Sequence, residues 1–166
     1  LGTPRALNSE LAAASTEPGA GQNHAVTLEQ VEAMVGKLEA RLKDNPQDAD
    51  GWAMLGRSHA VLGRHAQAVP AFKQAMALRA DDAALLTDYA DALAMVNGRS
   101  LDGEPSRLVA RALELDPNHI KALLLAGTQA FNHQDYQRAV QHWEKMVRLA
   151  PESEMVQRVR GGIDEA

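Results

Sequence analysis

Four phrases, Leu42-Lys-Asp-Asn-Pro46, Met76-Ala-Leu-Arg-Ala80, Leu113-Glu-Leu-Asp-Pro117 and Val147-Arg-Leu-Ala-Pro151, each close a stretch of helical apolar periodicity. Their last residues lie 34, 37 and 34 positions apart. Self-similarity at such a period marks a unit that cannot bury its apolar face alone and must stack on copies of itself. A unit of this length holds two antiparallel helices, so the chain reads as an all-α solenoid.

The pattern inside each unit matches the tetratricopeptide repeat (TPR). In residues 49–80 its marked places hold Trp52, Leu55, Gly56, His59, Ala68, Phe72, Ala75 and Ala80; His59 departs from the usual tyrosine and Ala80 from the usual proline. In residues 120–151 the same places hold Leu123, Ala126, Gly127, Ala130, Ala139, Trp143, Met146 and Pro151. Gly56 with Ala68, and Gly127 with Ala139, stand where the two helices of a unit cross, and larger side chains there would push the pair apart. The middle unit, 83–117, is looser, with Leu86, Tyr89, Ala90 and Leu93 in its first helix and Val109, Ala112 and Pro117 in its second. Its joint, Asn97-Gly-Arg-Ser-Leu-Asp-Gly-Glu-Pro105, takes up three extra residues and reads as a turn-rich inserted loop.

On either side of the repeats the pattern changes. Residues 1–26 mix Pro4, Pro18, Gly19 and Gly21 with little apolar periodicity, as in a flexible linker. Thr27-x-x-Gln30 is a capping box, and Val31, Met34, Val35, Leu38 and Leu42 share one face of the extra helix it opens, over 27–45. Asn118 is the expected N-cap of the third repeat. Ser153 caps a last helix, 153–164, with Met155, Val156 and Val159, which covers the end of the stack as solenoids require. The expected TPR domain thus runs over 27–166, with about three helix-turn-helix repeats between an N-terminal extra helix and a C-terminal capping helix.

Composition agrees with helices and removes several functions. Aromatic residues are only 4% of the chain, and the formal net charge is -5, which leaves no basic footprint for nucleic acid. There is no cysteine, so disulfides, thiolate chemistry and covalent haem attachment have no residue to use. No stretch approaches the roughly 20 apolar residues that span a bilayer, so no direct membrane insertion is expected of this segment. The chain begins at Leu1 rather than methionine, which suits part of a longer protein. The six histidines form no metal-ligand motif, Gly19-Ala-Gly21 lacks the partners of a phosphate loop, and no serine lies in a G-x-S-x-G elbow. No catalytic group, cofactor or metal is therefore expected. The reading is a binding module.

In a TPR stack the first helix of each repeat lines the concave side, and counting positions 5, 9, 12 and 13 selects candidate groove residues. They are Ala53, Arg57, Ala60 and Val61, then Thr87, Asp91, Ala94 and Met95, then Leu124, Thr128, Phe131 and Asn132. The surface is mostly apolar: Met95 and Leu124 adapt in shape, Phe131 offers an anchor, and Arg57 and Asp91 can orient polar groups. An amphipathic peptide would fit it. Trp52, Phe72, Tyr89 and Trp143 fall at packing positions instead.

Particular stretches resemble a known family: Val31-Glu-Ala-Met-Val-Gly-Lys-Leu-Glu-Ala-Arg-Leu42, Asp50-Gly-Trp-Ala-Met-Leu-Gly-Arg-Ser58, Leu86-Thr-Asp-Tyr-Ala-Asp-Ala-Leu-Ala94 and the joint Gly98–Pro105. From residue 28 onward the chain resembles the periplasmic TPR domain of cytochrome c-type biogenesis proteins of the CcmI/CycH kind, and the related TPR subunit of the nitrite-reductase haem lyase. The opening Leu1-Gly-Thr-Pro-Arg-Ala-Leu7 is similar to the segment that follows the last membrane span in that family. The resemblance implies a periplasmic domain tethered to the bacterial inner membrane by an upstream segment. It further implies a chaperone that binds the C-terminal helix of apocytochrome c and presents the chain to the haem ligation complex. The bottom-up alternative is a generic TPR adaptor for a helical or extended peptide of another partner. A two-carboxylate clamp is disfavoured, because Ala53 and Arg57 stand where lysine and asparagine would be needed.

Overall fold

The computed structural model describes residues 27–165, so the linker expected over 1–26 lies outside the described residues. Helices α1 (Leu28–Asp44), α2 (Ala49–Val61), α3 (His65–Leu78), α4 (Ala83–Val96), α5 (Glu104–Leu115), α6 (Ile120–Asn132), α7 (Tyr136–Leu149) and α8 (Glu154–Glu165) follow in order. The pairs α2/α3, α4/α5 and α6/α7 are the three repeats, with α1 ahead of them and α8 behind.

Local chemistry sets the helix starts. The Thr27 hydroxyl accepts from the Gln30 N–H and the Gln30 side chain accepts from the Thr27 N–H, completing the capping box. Asp48, Asp82 and Asp135 cap α2, α4 and α7 by accepting from Gly51, Leu85 and Arg138. At α6 the expected Asn118 is corrected to His119, whose Nδ1 accepts from the Ala122 N–H at 3.2 Å. Asn118 lies one residue too early and donates its own N–H to Asp116 in the preceding turn.

The first helices of the repeats end alike. The N–H groups of Arg64, Arg99 and Asp135 reach back to the carbonyls of His59, Ala94 and Ala130 at 2.8, 2.7 and 2.9 Å, after a left-handed residue at Gly63, Gly98 and Gln134 respectively. In the middle repeat Arg99 is left-handed as well, at φ 68°, and the loop then runs to Gly103. The expected loop over 97–105 is therefore shorter: Glu104 and Pro105 form the first turn of α5, where proline has no N–H to leave unpaired. Pro105 is buried at the register place that Ala68 and Ala139 fill in the other repeats.

Packing follows the repeat register. Ala68, Ala75, Ala112, Ala139 and Met146 are fully buried between the helices of their repeats, and the rings of Phe72 and Trp143 lie over Gly56 and Gly127. One core cluster joins the first two repeats, a second joins the third repeat to α8 through Val156 and Val159, and a third holds α1 through Val35, Leu38 and Leu42. Helix α2 touches α4, α4 touches α6 and α6 touches α8, whereas among the described residues α3, α5 and α7 do not meet one another. The stack is closed on the first-helix side and splayed on the other, so α2, α4 and α6 form its inner curve.

Candidate peptide-binding groove

Register and burial together decide what the inner curve presents. Of the residues counted from the sequence, Arg57, Val61, Met95 and Asn132 are exposed, and Ala60, Asp91, Leu124, Thr128 and Phe131 are half-buried. Thr87 is 0% exposed, with its hydroxyl donating to the Ala83 carbonyl at 2.7 Å. As a lining residue it is corrected: it packs beneath the surface. Ala53 and Ala94 are buried likewise. The physical reason is common to them, because positions 5 and 12 turn toward the neighbouring first helix and become contacts between repeats.

Position 6 takes the exposed place instead. It brings Met54 (52% exposed), Asp88 and Leu125 to the inner face, none of which the count selected. Position 2 adds Lys121. The signal for them was present, since positions 6 and 2 lie about one and two helical turns before position 9, on the same face, but it needed the direction of the neighbouring helix to be read.

Asp88 and Lys121 turn out to organise the floor. Arg57 Nε on α2 donates to Asp88 Oδ2 on α4 at 2.7 Å, Lys121 Nζ on α6 donates to Asp88 Oδ1 at 3.0 Å, and the same ammonium reaches Asp91 Oδ2 at 2.8 Å. Two cations and two carboxylates thus bridge three successive helices. Burial alone would push the Lys121 ammonium down, but hydrogen bonds to and attraction by Asp91 and Asp88 outweigh it and hold the group above the usual lysine range.

Apolar side chains flank this polar row. Met54 lies a turn before Arg57 on α2 and Val61 (82% exposed) a turn after it, and Met95 (36% exposed) lies a turn after Asp91 on α4. On α6, Phe131 adds to them, but it is also held in place: its ring meets Tyr136 edge-on at 5.4 Å and Trp143 at 5.6 Å. The Trp143 indole donates to the Leu124 carbonyl, which also accepts from the Thr128 hydroxyl, so Thr128 turns back onto its own helix. His133 Nε2 and Asp102 Oδ1 meet at 2.6 Å, tying the inserted loop to the end of α6 and holding the Asp102 carboxyl below the usual range.

On the outer side, α5 and α7 leave a cleft of about 550 Å³ floored by α6. His142 lines it, its pKa pushed down first by burial and then by Arg138 and Lys145. Among the described residues no three His, Asp or Glu side chains gather as a metal site, and no helix is long and apolar enough to cross a membrane.

Comparison with known proteins gives this groove its context. The family model of the cytochrome c-type biogenesis protein H TPR domain matches residues 5–156. The chain is similar to cytochrome c-type biogenesis protein CycH of Pseudomonas aeruginosa, 32% identical over 137 residues, which are 82% of this chain and 34% of that protein. It is also similar to the formate-dependent nitrite reductase complex subunit NrfG of Escherichia coli O157:H7, 30% identical over 118 residues, 71% of this chain and 60% of that one. The chain therefore spans about a third of the one relative and three fifths of the other. Among solved structures, YrrB, a TPR protein with an unusual peptide-binding site, superposes with a TM-score of 0.67 at 22% identity, covering 80% of this chain and 67% of that one, which supports the fold. With 5–156 matched, the repeats in register and the eight helices of the described residues stacked as a TPR solenoid, the chain belongs to the family of cytochrome c-type biogenesis protein H TPR domains.

Proposed function

We propose that this domain is an apocytochrome c chaperone, holding the client's C-terminal helix in the groove of α2, α4 and α6 and presenting the chain to the haem ligation complex. The observation that carries the reading is the mixed inner face: a polar row of Arg57, Asp88, Asp91 and Lys121 flanked by the apolar side chains of Met54, Val61, Met95 and Phe131. A helix lying across the three first helices would set its apolar stripe on Val61, Met95 and Phe131 and its polar stripe on the charged row. Membership of a cytochrome c-type biogenesis family supports this choice of client. Gripping a distant helix leaves the haem-attachment cysteines free to react, and a domain without cysteine cannot be trapped in mixed disulfides with them. Its place is the bacterial periplasm, tethered to the inner membrane through an upstream segment.

Calorimetric titration with a synthetic C-terminal helix of a c-type apocytochrome tests this, against a scrambled peptide and the folded holoprotein. Saturable micromolar binding of the native peptide alone is expected, weakened about tenfold by combining Val61→Ser and Met95→Ala, since two apolar contacts are lost. Equal binding of the scrambled peptide, or none, contradicts it.

A further inference from the structure

We infer that Asp88 and Asp91 are resident occupants of a carboxylate site, so that the groove takes the body of a helix and does not read a free C-terminal carboxylate. The inference rests on the proposed groove and adds the chemistry of its floor. Positions 2, 6, 9 and 13 of the three first helices carry two cations, Arg57 and Lys121. Left alone, this pair would favour an anionic ligand, because guanidinium and ammonium donors form their strongest hydrogen bonds to carboxylates. Both are satisfied internally: Asp88 takes one bond from each, at 2.7 and 3.0 Å, and Asp91 takes a second from Lys121 at 2.8 Å. Asp88 is the more enclosed acid, its side chain 19% exposed against 39% for Asp91. A peptide carboxylate would have to displace a partner already on a neighbouring helix, exchanging one ion pair for another at no net gain. With Asp50 at position 2 of α2 the charged residues at these positions sum to −1, so no field draws an acidic terminus into the groove.

Removing the resident acids should create the missing preference. The test compares the wild-type domain with Asp88→Asn/Asp91→Asn, using the apocytochrome helix as free acid and as C-terminal amide, together with acetyl-Glu-Glu-Val-Asp in both forms. Wild type should bind the two helix forms within about twofold and show no saturable binding of either tetrapeptide. The double variant should prefer the acid of each peptide by on the order of tenfold, as expected for a new bond to a charged group. A merely structural role would lower affinity for acid and amide alike, which overturns the inference. So does a wild-type preference for the acid greater than about fivefold. If the double variant does not fold by circular dichroism, Asp91→Asn alone leaves the Arg57–Asp88 pair intact and should show a smaller acid preference; none there counts against the inference. Failure of the helix to bind wild type sinks the proposed client, while the tetrapeptide arms still decide the role of Asp88 and Asp91.

Discussion

At the residue scale, one atom of side chain separates stabilising from damaging changes. A Cβ on Gly56 would lie 2.6 Å from the Phe72 ring, while one on Gly36, on the exposed face of α1, would meet nothing within 4 Å. Helix propensity favours alanine at both by about 1 kcal/mol. At Gly56 overpacking costs about 1–3 kcal/mol and wins. Urea unfolding should therefore show Gly56→Ala destabilised by up to roughly 2 kcal/mol and Gly36→Ala stabilised by about 0.5–1 kcal/mol. Gln134 makes a second internal comparison, because it holds φ 62° at the place that Gly63 holds in the first repeat. Left-handed backbone costs a residue with a Cβ about 1–2 kcal/mol, partly offset by glycine's freer unfolded chain. Gln134→Gly should raise the melting temperature, by an amount corresponding to about 0.5–1 kcal/mol. This scale also shows what the sequence could not disclose about the groove. Thr87 and Asp88 are polar neighbours, yet one is sealed between helices and the other organises the floor. Only the direction of α2 and α6 distinguishes them.

At the scale of elements, α7 answers to pH. His142 is half-buried beside Arg138 and Lys145, so its folded-state pKa is depressed below 6.5. For a depressed group the sign is fixed: its contribution is whole above the unfolded value and is lost as pH falls through the folded one. Thermal stability should decline on acidification below about pH 6.5, and His142→Gln should flatten that decline without changing the alkaline side. The Lys121 ammonium, with a raised pKa, acts oppositely and gives up its contribution only in strong alkali. Element starts were mostly legible, since Thr27 and Ser153 cap as their spacing suggests. Asn118 and Pro105 misled for local reasons. A histidine can accept from the third residue on as aspartate does, and a proline that reads as a loop breaker also suits a helix's first turn.

At the scale of the molecule, the fold was the most legible feature, because stacking forces the same chemistry to recur every 34 to 37 residues. Gly56 over Phe72 and Gly127 over Trp143 are one contact written twice. Curvature was not legible. It arises from α2, α4, α6 and α8 touching in turn while the second helices splay, and no single unit contains that information. The central claim, that the inner curve is the binding surface, can be tested through the six methionines. Met54 and Met95 face the groove, whereas Met34, 58% exposed, lies on α1, outside the three first helices that form it, and Met146 is buried. Methyl NMR of the methionine-labelled domain during titration with the apocytochrome helix should move the Met54 and Met95 signals along one saturable curve and leave Met34 unmoved. Saturable shifts at Met34 with Met54 and Met95 unchanged would place binding elsewhere and contradict the account.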